Sequence, residues 1–283
     1  MKIPTTRRAH SLVAAGRSAL ALAIVGLLFA FGSNAVAAPT AVGLGTAGSF
    51  AVLAGTGITN TGPTTITGDI GTFPTTSITE VTPLTLSGTN HAGDSVTQGA
   101  KTDLVTAYNT AAGQGPTTPV SPVDLVGLTL KPGVYNSASA IELSGVLTLD
   151  AAGDPNAVWV FQAGSTLVTF SGSKVVMLNG APPSCNVYWQ VGSSATLGTN
   201  STFIGTIMAL TSISLKTGAK LDGRALARNG AVTLDTNTIT RSACSTSTST
   251  SPSPSTSTST RTGASQITAV PRGPVGTGDN SIG

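Results

Sequence analysis

Three consecutive segments in the second half of the chain carry the pattern that decides the fold. Val187–Thr202 reads VYWQVGSSATLGTNST, Phe203–Lys220 reads FIGTIMALTSISLKTGAK, and Leu221–Thr238 reads LDGRALARNGAVTLDTNT. The segments are 16, 18 and 18 residues long, and each holds two strand-like runs and a corner that contains Gly or Asn. A repeat of nearly constant length with short strands is typical of solenoids, whose coils bury apolar side chains only by stacking.

The middle run of each segment indicates which side chains point inward. Strict alternation in these runs places Thr196, Ser214 and Thr233 on the outside. The side chains predicted to point inward are Ala195, Leu197, Ile213, Leu215, Val232 and Leu234. We therefore predict a mainly β fold, a right-handed triangular β-solenoid. A β-sandwich also has short alternating strands, but it does not require the same corner residues at a fixed step.

One segment, at about residues 94–112, departs from the strand pattern and predicts a long α-helix. Gly113 follows as a natural stop. The apolar residues at helical spacing are Val96, Ala100, Leu104, Ala107, Tyr108 and Ala111. This helix is expected to lie along one face of the solenoid, because alternation leaves Tyr188, Met208 and Leu226 pointing outward there and stacked apolar residues need cover.

The chain divides into three parts by composition. Residues 1–37 read as a secretory signal peptide, with a basic start, an apolar run at Ala19–Phe31 and the small-residue site Ala35-Val36-Ala37. A membrane anchor is the alternative, but the apolar run is shorter than the roughly 20 residues of a bilayer span. Residues 38–244 form the predicted solenoid domain, and residues 245–283 form a Ser/Thr/Pro-rich tail without apolar clusters to bury.

Charge and residue counts exclude several classes of function. Removing the four basic residues of the leader changes the formal net charge from +3 to −1, so no basic surface for nucleic acid is expected. After the leader the chain has one histidine, His91, and two cysteines, too few for an ordinary His/Cys zinc site. We therefore predict no metal, no cofactor and no membrane span in the mature chain, which we expect to be a monomer.

Export makes a disulfide chemically permissible. Cys185 and Cys244 are the only two cysteines, so they are the predicted pair. This bond would fasten the end of the folded region before the tail begins.

Several longer stretches make the chain resemble the bacterial and fungal ice-binding proteins that have a discontinuous β-solenoid with a lateral helix. The resemblance spans roughly residues 41–241. The stretches that carry it are Leu44–Ala54, Gly68–Gly71, Leu130–Tyr135, Gly153–Gln162, Cys185–Gly192 and Gly223–Ala227. It implies a crossover in which the N-terminal coil lies beside late coils. It also implies a protein that adsorbs to ice crystals and is either secreted or associated with the cell surface.

Some members of that family carry a Thr–Ala/Gly–x–Thr/Asn motif on the surface that contacts ice. Thr56–Thr59 matches it fully, and Thr199–Thr202 and Thr217–Lys220 match it in part. The resemblance therefore implies a Thr-bearing ice-binding surface away from the helix. Its predicted residues are Thr56, Thr59, Thr199, Thr202, Thr217 and Thr238.

Two other classes of function stay open from the residues alone. Asp150 and Asp235 are predicted to end equivalent strands, with Lys216 between them, and such a group could serve a polysaccharide-cleaving enzyme. Asp residues commonly occupy turns, which explains these two acids without catalysis. No catalytic residue is therefore predicted. The third class is a non-catalytic adhesion or carbohydrate-binding module on a Ser/Thr stalk.

Overall fold

The computed structural model describes residues 38–80, 82–121, 123–180 and 184–242. The predicted leader, Cys244 and the tail lie outside the described residues. The strands are β1 (Phe50–Ala54), β2 (Gly57–Asn60), β3 (Thr65–Thr67), β4 (Asp69–Thr72), β5 (Ile78–Glu80), β6 (Thr85–Ser87), β7 (Thr118–Pro119), β8 (Thr129–Leu130), β9 (Gly133–Ser137), β10 (Ile141–Leu143), β11 (Val146–Asp150), β12 (Trp159–Ala163), β13 (Leu167–Thr169), β14 (Lys174–Leu178), β15 (Val187–Val191), β16 (Ala195–Leu197), β17 (Thr202–Ala209), β18 (Ile213–Leu215), β19 (Lys220–Ala227), β20 (Ala231–Leu234) and β21 (Thr238–Thr240). The helices are α1 (Ser95–Ala112) and two 3₁₀ turns, Gly45–Ser49 and Ser184–Asn186.

The strands pair in parallel and form the three faces of a solenoid, which confirms the predicted mainly β fold. Face B is a seven-stranded sheet in the order β10-β13-β16-β18-β20-β2-β5. Face A contains β7, β9, β12, β15, the second halves of β17 and β19, β1 and β4. Face C contains β8, β11, β14, the first halves of β17 and β19, β21, β3 and β6. The β-sandwich alternative is wrong, because the parallel strands follow one another around three faces in the order A, B, C, and the coil of β7 and β8 meets face B through the single bridge of Asp124 with Glu142.

Two stacked glycines let the long strands β17 and β19 turn from face C to face A. Gly205 and Gly223 pair in register, with φ angles of 114° and 152°. Side chains other than hydrogen rarely occupy that region. A Cβ on Gly223 would also lie 2.0 Å from the backbone oxygen of Gly205. Close stacking of the coils at this corner therefore requires glycine.

The interior is a narrow column of apolar side chains, one layer per coil. It contains a stack of aromatic rings in which the Phe161 and Trp189 centroids are 3.9 Å apart. Tyr135 stacks on Phe161 at 5.4 Å, and the Trp189 indole N–H donates to the Ile204 carbonyl at 2.9 Å. The large side chains at the centre are thus both packed and hydrogen-bonded.

The first two coils of the sequence stack on the last one. Val52 pairs with Ala225 on face A, Ile58 with Val232 on face B, and Ile239 with Ile66 on face C. The coil β4–β5–β6 then continues the stack beyond β1–β2–β3. This is the crossover that the family resemblance implies, and α1 returns the chain to the opposite end of the solenoid.

The predicted helix is confirmed, with one correction on its buried side. Asp94 caps it by accepting a hydrogen bond from the Thr97 amide at 2.8 Å, and Gly113 ends it. Ala100, Leu104, Ala107, Tyr108 and Ala111 are buried as predicted. Val96 is 44% exposed and Thr97 is buried instead. The reason is that the side of the first turn that is capped by Asp94 faces the sheet. Within the described residues, no helix is long and apolar enough to cross a bilayer.

The helix covers face A through a second apolar cluster and a few polar contacts. Tyr188, Met208 and Leu226 point outward from face A and are buried against the helix. Gln190 Nε2 donates to Tyr108 Oη at 2.7 Å, and Lys101 Nζ donates to the Ala227 carbonyl at 2.6 Å. Burial and the nearby Arg228 guanidinium lower the pKa of Lys101 to about 8. Face A is therefore sealed from solvent along the length of the helix.

We predict that Leu226→Asp lowers the free energy of unfolding by about 3 kcal/mol or more, since it leaves an unpaired charge between helix and sheet. The matched control is Leu178→Asp, because Leu178 lies on a strand of face C and is 46% exposed. Urea denaturation of both variants measures the difference. Equal stability of the two variants would contradict the covered position of Leu226.

Candidate functional site

Face B presents a column of hydroxyl side chains, a column being the outward residues at one position of successive strands. Strand pairing places each member directly beside the next. In order along the sheet the column is Glu142, Val168, Thr196, Ser214, Thr233, Thr59 and Thr79. Its last five members are all Ser or Thr. Because parallel strands lie about 4.8 Å apart, these five span about 19 Å.

A second column of small residues runs beside the first on face B. It comprises Ser194, Ser212, Ala231, Gly57 and Ser77. Ser212 Oγ accepts from the Ala231 amide at 3.2 Å, and Ser194 Oγ accepts from the Ser212 amide at 3.3 Å. Thr233 Oγ1 in turn donates to Ser214 Oγ at 3.0 Å in the first column. From β16 to β5 the two columns form an uncharged surface, and some of its hydroxyls are held by hydrogen bonds to neighbouring strands.

The base of this surface is rigid because the residues between the hydroxyls are packed in the core. Ile213, Val232 and Ile58 point inward from the same strands and are fully buried. The Thr χ1 angle is itself restricted by its branched Cβ. Lys216 and Asp235 stand only at the margin of the hydroxyl surface, where face B turns toward face C.

The outward residues of face C differ more in type along the sheet than those of face B. Strand pairing again aligns one residue per coil. Its first column is Val146, Lys174, Thr202, Lys220, Thr238, Thr65 and Thr85. Apolar side chains are exposed at one end of this face, including Val146 at 45% and Leu178 at 46%. Two lysines interrupt the middle, and hydroxyls occupy the other end.

The structure does not bring the six predicted ice-binding threonines onto one surface. Thr59 lies in the central column of face B, and Thr56 lies at its margin beside face A. Thr199 and Thr217 lie at the corner between faces B and C, where Thr217 Oγ1 donates to Asp235 Oδ2 at 2.5 Å. Thr202 and Thr238 start strands of face C.

Matching the four-residue motif alone could not separate these positions. Thr56–Thr59 enters face B, whereas Thr199–Thr202 leaves it, so similar motifs stand at opposite margins of one sheet. Thr202 is also flanked in its column by Lys174 and Lys220. The sequence signal that predicts the hydroxyl column of face B is the outward alternation of Thr196, Ser214 and Thr233 in the repeat. Thr79 carries no such signal, because only the crossover brings β5 into this sheet.

The predicted equivalence of Asp150 and Asp235 is wrong. Asp150 ends β11 on face C, whereas Asp235 and Lys216 each follow a strand of face B. Lys216 and Asp235 therefore lie at the corner between faces B and C, and Asp150 lies at a different corner. Among the described residues, no three His, Cys, Asp or Glu side chains are grouped so that they could hold a metal ion.

Asp150 has structural partners that account for its position. It accepts from Lys131 Nζ at 2.5 Å, from Asn179 Nδ2 at 2.8 Å and from the Ala152 amide at 2.9 Å. The Lys131 hydrogen bond, followed by the other two, lowers the pKa of Asp150 to about 2. A carboxylate with so low a pKa is a weak base and carries no proton to donate near neutral pH.

Cys185 lies in the 3₁₀ turn before β15 and is disulfide-bonded. Its predicted partner, Cys244, lies outside the described residues, so the pairing stays a prediction. Nearby, Ser184 Oγ lies 3.0 Å from Asp222 Oδ1 and 2.6 Å from Ser242 Oγ, and Ser242 Oγ donates to Asp222 Oδ1 at 2.6 Å. These contacts hold the segment after β21 against the 3₁₀ turn and β19.

Comparisons with known proteins agree on one family. The family model described as "Ice-binding-like" matches residues 52–240. An ice-binding protein of Nostoc sp. (strain HG1) is 50% identical over 227 residues, 80% of this chain and 82% of that protein. An ice-binding protein of Colwellia sp. is 35% identical over 244 residues, 81% of this chain and 94% of that protein. The crystal structure of an ice binding protein from an Antarctic Biological Consortium has a TM-score of 0.70 and 49% identity, and the match covers 72% of this chain and 92% of that one.

The low pKa of Asp150 predicts a specific acid sensitivity. Its folded value of about 2 lies below the usual unfolded value near 3.9, so its stabilising contribution is complete above about pH 4 and is lost as the pH falls toward 2. We expect Asp150→Asn, and equally Lys131→Met, to flatten the fall in melting temperature over that interval. Melting curves from pH 2 to 7 test this, and an unchanged slope in both variants would contradict the role of the pair.

Proposed function

The chain belongs to the ice-binding-like family, and from this membership we propose that it adsorbs to ice crystals through face B. Adsorption of many copies would slow growth and recrystallisation of the ice. The central observation is the uninterrupted column Thr196, Ser214, Thr233, Thr59 and Thr79, with the small-residue column beside it.

The chemistry of face B suits a layer of ordered water. Each Thr offers a hydroxyl that can join a water network and a methyl group that restricts the water beside it. Neither column carries a charged group from β16 to β5. A mobile and strongly hydrated Lys head would disturb such a layer, and this is why the lysine-flanked Thr202 is a poorer candidate than Thr233.

The geometry supports adsorption for a second reason. Ice is a flat, rigid lattice, so a surface that must rearrange on contact loses conformational entropy. Face B has its backbone hydrogen-bonded in the sheet and its inward residues packed in the core. Few groups of face B would therefore lose conformational freedom when the surface contacts ice.

Thr favours β-strands for reasons unrelated to ice, so its abundance alone decides nothing. The argument rests on position: five hydroxyls in register on a flat sheet, in a chain of this family. Adsorption of this kind involves no covalent step and uses no cofactor. We propose that the chain acts as a monomer without catalytic activity.

The proposed site of action is outside the cell. The leader predicted at residues 1–37 would direct export, and bulk ice that a cell meets forms outside it. The disulfide at Cys185 fits an oxidising compartment, since such bonds are rare in the cytosol.

We predict that Thr233→Tyr, at the centre of the hydroxyl column, weakens ice adsorption about tenfold or more. The bulky ring would hold the flat surface away from ice, and central contacts carry most of the energy of an interface. The measurement is the concentration of mature protein that half-maximally inhibits ice recrystallisation, together with partition into a slowly growing ice ball.

Val176→Tyr is the matched control, because Val176 is outward, 36% exposed and on the distant end of face C. It should keep wild-type activity, and both variants should melt as wild type does. Full activity of a folded Thr233→Tyr protein would exclude face B. Wild-type protein that stays out of ice but binds polysaccharide would instead favour the adhesion module.

A further inference from the structure

One end of face C carries a second array of hydroxyl side chains that the proposed function does not use. We call it the face C patch and define it as Thr238 and Thr240 on β21, Thr65 and Thr67 on β3, and Thr85 and Ser87 on β6. All six residues are exposed. The middle residue of each strand points inward, and Ile239 and Ile66 are fully buried.

The patch is a regular grid, because the three strands pair in register. Thr65 lies between Thr238 and Thr85, and Thr67 lies between Thr240 and Ser87. The grid therefore has two columns of three hydroxyls. With strands about 4.8 Å apart and alternate residues about 6.6 Å apart, it covers about 10 Å by about 7 Å.

The hydroxyls of the patch are free to bind an external partner. In the part of the chain that the structure describes, none of the six makes a side-chain hydrogen bond to another residue. By contrast, Thr233 and Ser214 on face B bond to each other, and Thr217 at the corner bonds to Asp235. Outward residues of the patch strands carry no charge, and the next coil ends the array with Lys220 and Asp222.

The patch is continuous with face B around the corner between the two faces. In the first coil the chain runs from Thr59 on face B through 61–64 to Thr65 on face C, and the corner contains Thr61 and Pro63 in exposed positions. The coil β4–β5–β6 also carries Thr79 on face B and Thr85 on face C, with the exposed Glu80 at the corner between them. The uncharged hydroxyl surface therefore passes from face B to face C through the corner of the first coil.

We propose that the face C patch is a second ice-binding surface, which meets a different plane of the crystal from the plane bound by face B. This inference rests on the proposed function, because ice is the occupant that the shared chemistry and the continuity with face B indicate. Two faces of a triangular coil cannot lie on one flat plane together. The smaller patch should bind ice more weakly than face B and should add a second orientation of adsorption.

The first test maps the ice planes that fluorescently labelled mature protein occupies on a single-crystal hemisphere. We expect wild type to label two sets of planes. Thr233→Tyr should remove the set bound by face B and leave the weaker one, whereas Thr65→Tyr, at the centre of one column of the patch, should do the reverse. Thr202→Tyr, in the same column as Thr65 but between two lysines, should change neither set.

A second test compares two substitutions of lysine by threonine on face C, and it remains valid if the tyrosine variants fail to fold. Lys220→Thr would lengthen the first column of the patch by two coils, since Lys220 pairs with Thr238 on one side and with Thr202 on the other. We expect it to lower the half-maximal concentration for recrystallisation inhibition, measured in the Thr233→Tyr background, by about two- to fivefold. Lys174→Thr removes the same charge from the same column, but Thr202 and Lys220 separate it from the patch, so it should give no gain.

The outcomes separate the two proposals. Wild-type protein that labels no ice plane overturns the proposed function and this inference together. Labelling that Thr233→Tyr abolishes completely overturns the face C patch and leaves face B in place. Equal gains from Lys220→Thr and Lys174→Thr would indicate a general effect of charge and would also overturn the patch.

Discussion

No single coil of this solenoid can bury its own apolar side chains, and the rest of the structure depends on that limit. A coil offers one or two inward residues per strand, such as Ile213 on face B and Phe203 on face C, and they become buried only when the coils above and below are in place. Stacking in parallel register supplies the burial and pairs the backbone at the same time. Because the same register governs the outside, outward residues also align in columns. The hydroxyl surfaces are thus a by-product of how the core is built.

The same limit explains the helix. Face A has apolar side chains on both sides of the sheet, because Trp189 and Ile207 point inward while Tyr188 and Met208 point outward. That outward set would be a long exposed apolar stripe. The helix covers it and thereby leaves faces B and C as the surfaces available for flat contact. Of these, face C is interrupted by Lys174, Lys220 and the exposed Leu178, which restricts its regular part to the three strands at one end.

Much of the fold could be predicted from the sequence, since it depends on local periodicity. The alternation in the three repeats predicts which residues are buried, and helical spacing predicts α1 apart from its first turn, where capping by Asp94 buries Thr97 rather than Val96. The candidate ice-binding surface was harder to predict from the sequence, because it depends on which strands become neighbours in the sheet. Nothing local in β2 or β5 indicates that Thr59 and Thr79 continue the column of Thr196, Ser214 and Thr233. The crossover could be predicted only from the family resemblance. The four-residue motif occurs both where the chain enters face B and where it leaves it, so the motif did not distinguish the two margins.

The crossover also determines how such a molecule can change its size. The first coil of the sequence, β1–β2–β3, packs on the last one and is covered on its other side by β4–β5–β6, so a coil added directly before β1 or after β21 would have no free edge to pair with. The open edges are instead at internal positions, next to β5 and β6 on one side and next to the segment between α1 and β9 on the other. A longer or shorter solenoid of this design therefore arises by insertion or deletion within the gene, and the helix must then change its length by a matching number of turns to keep face A covered.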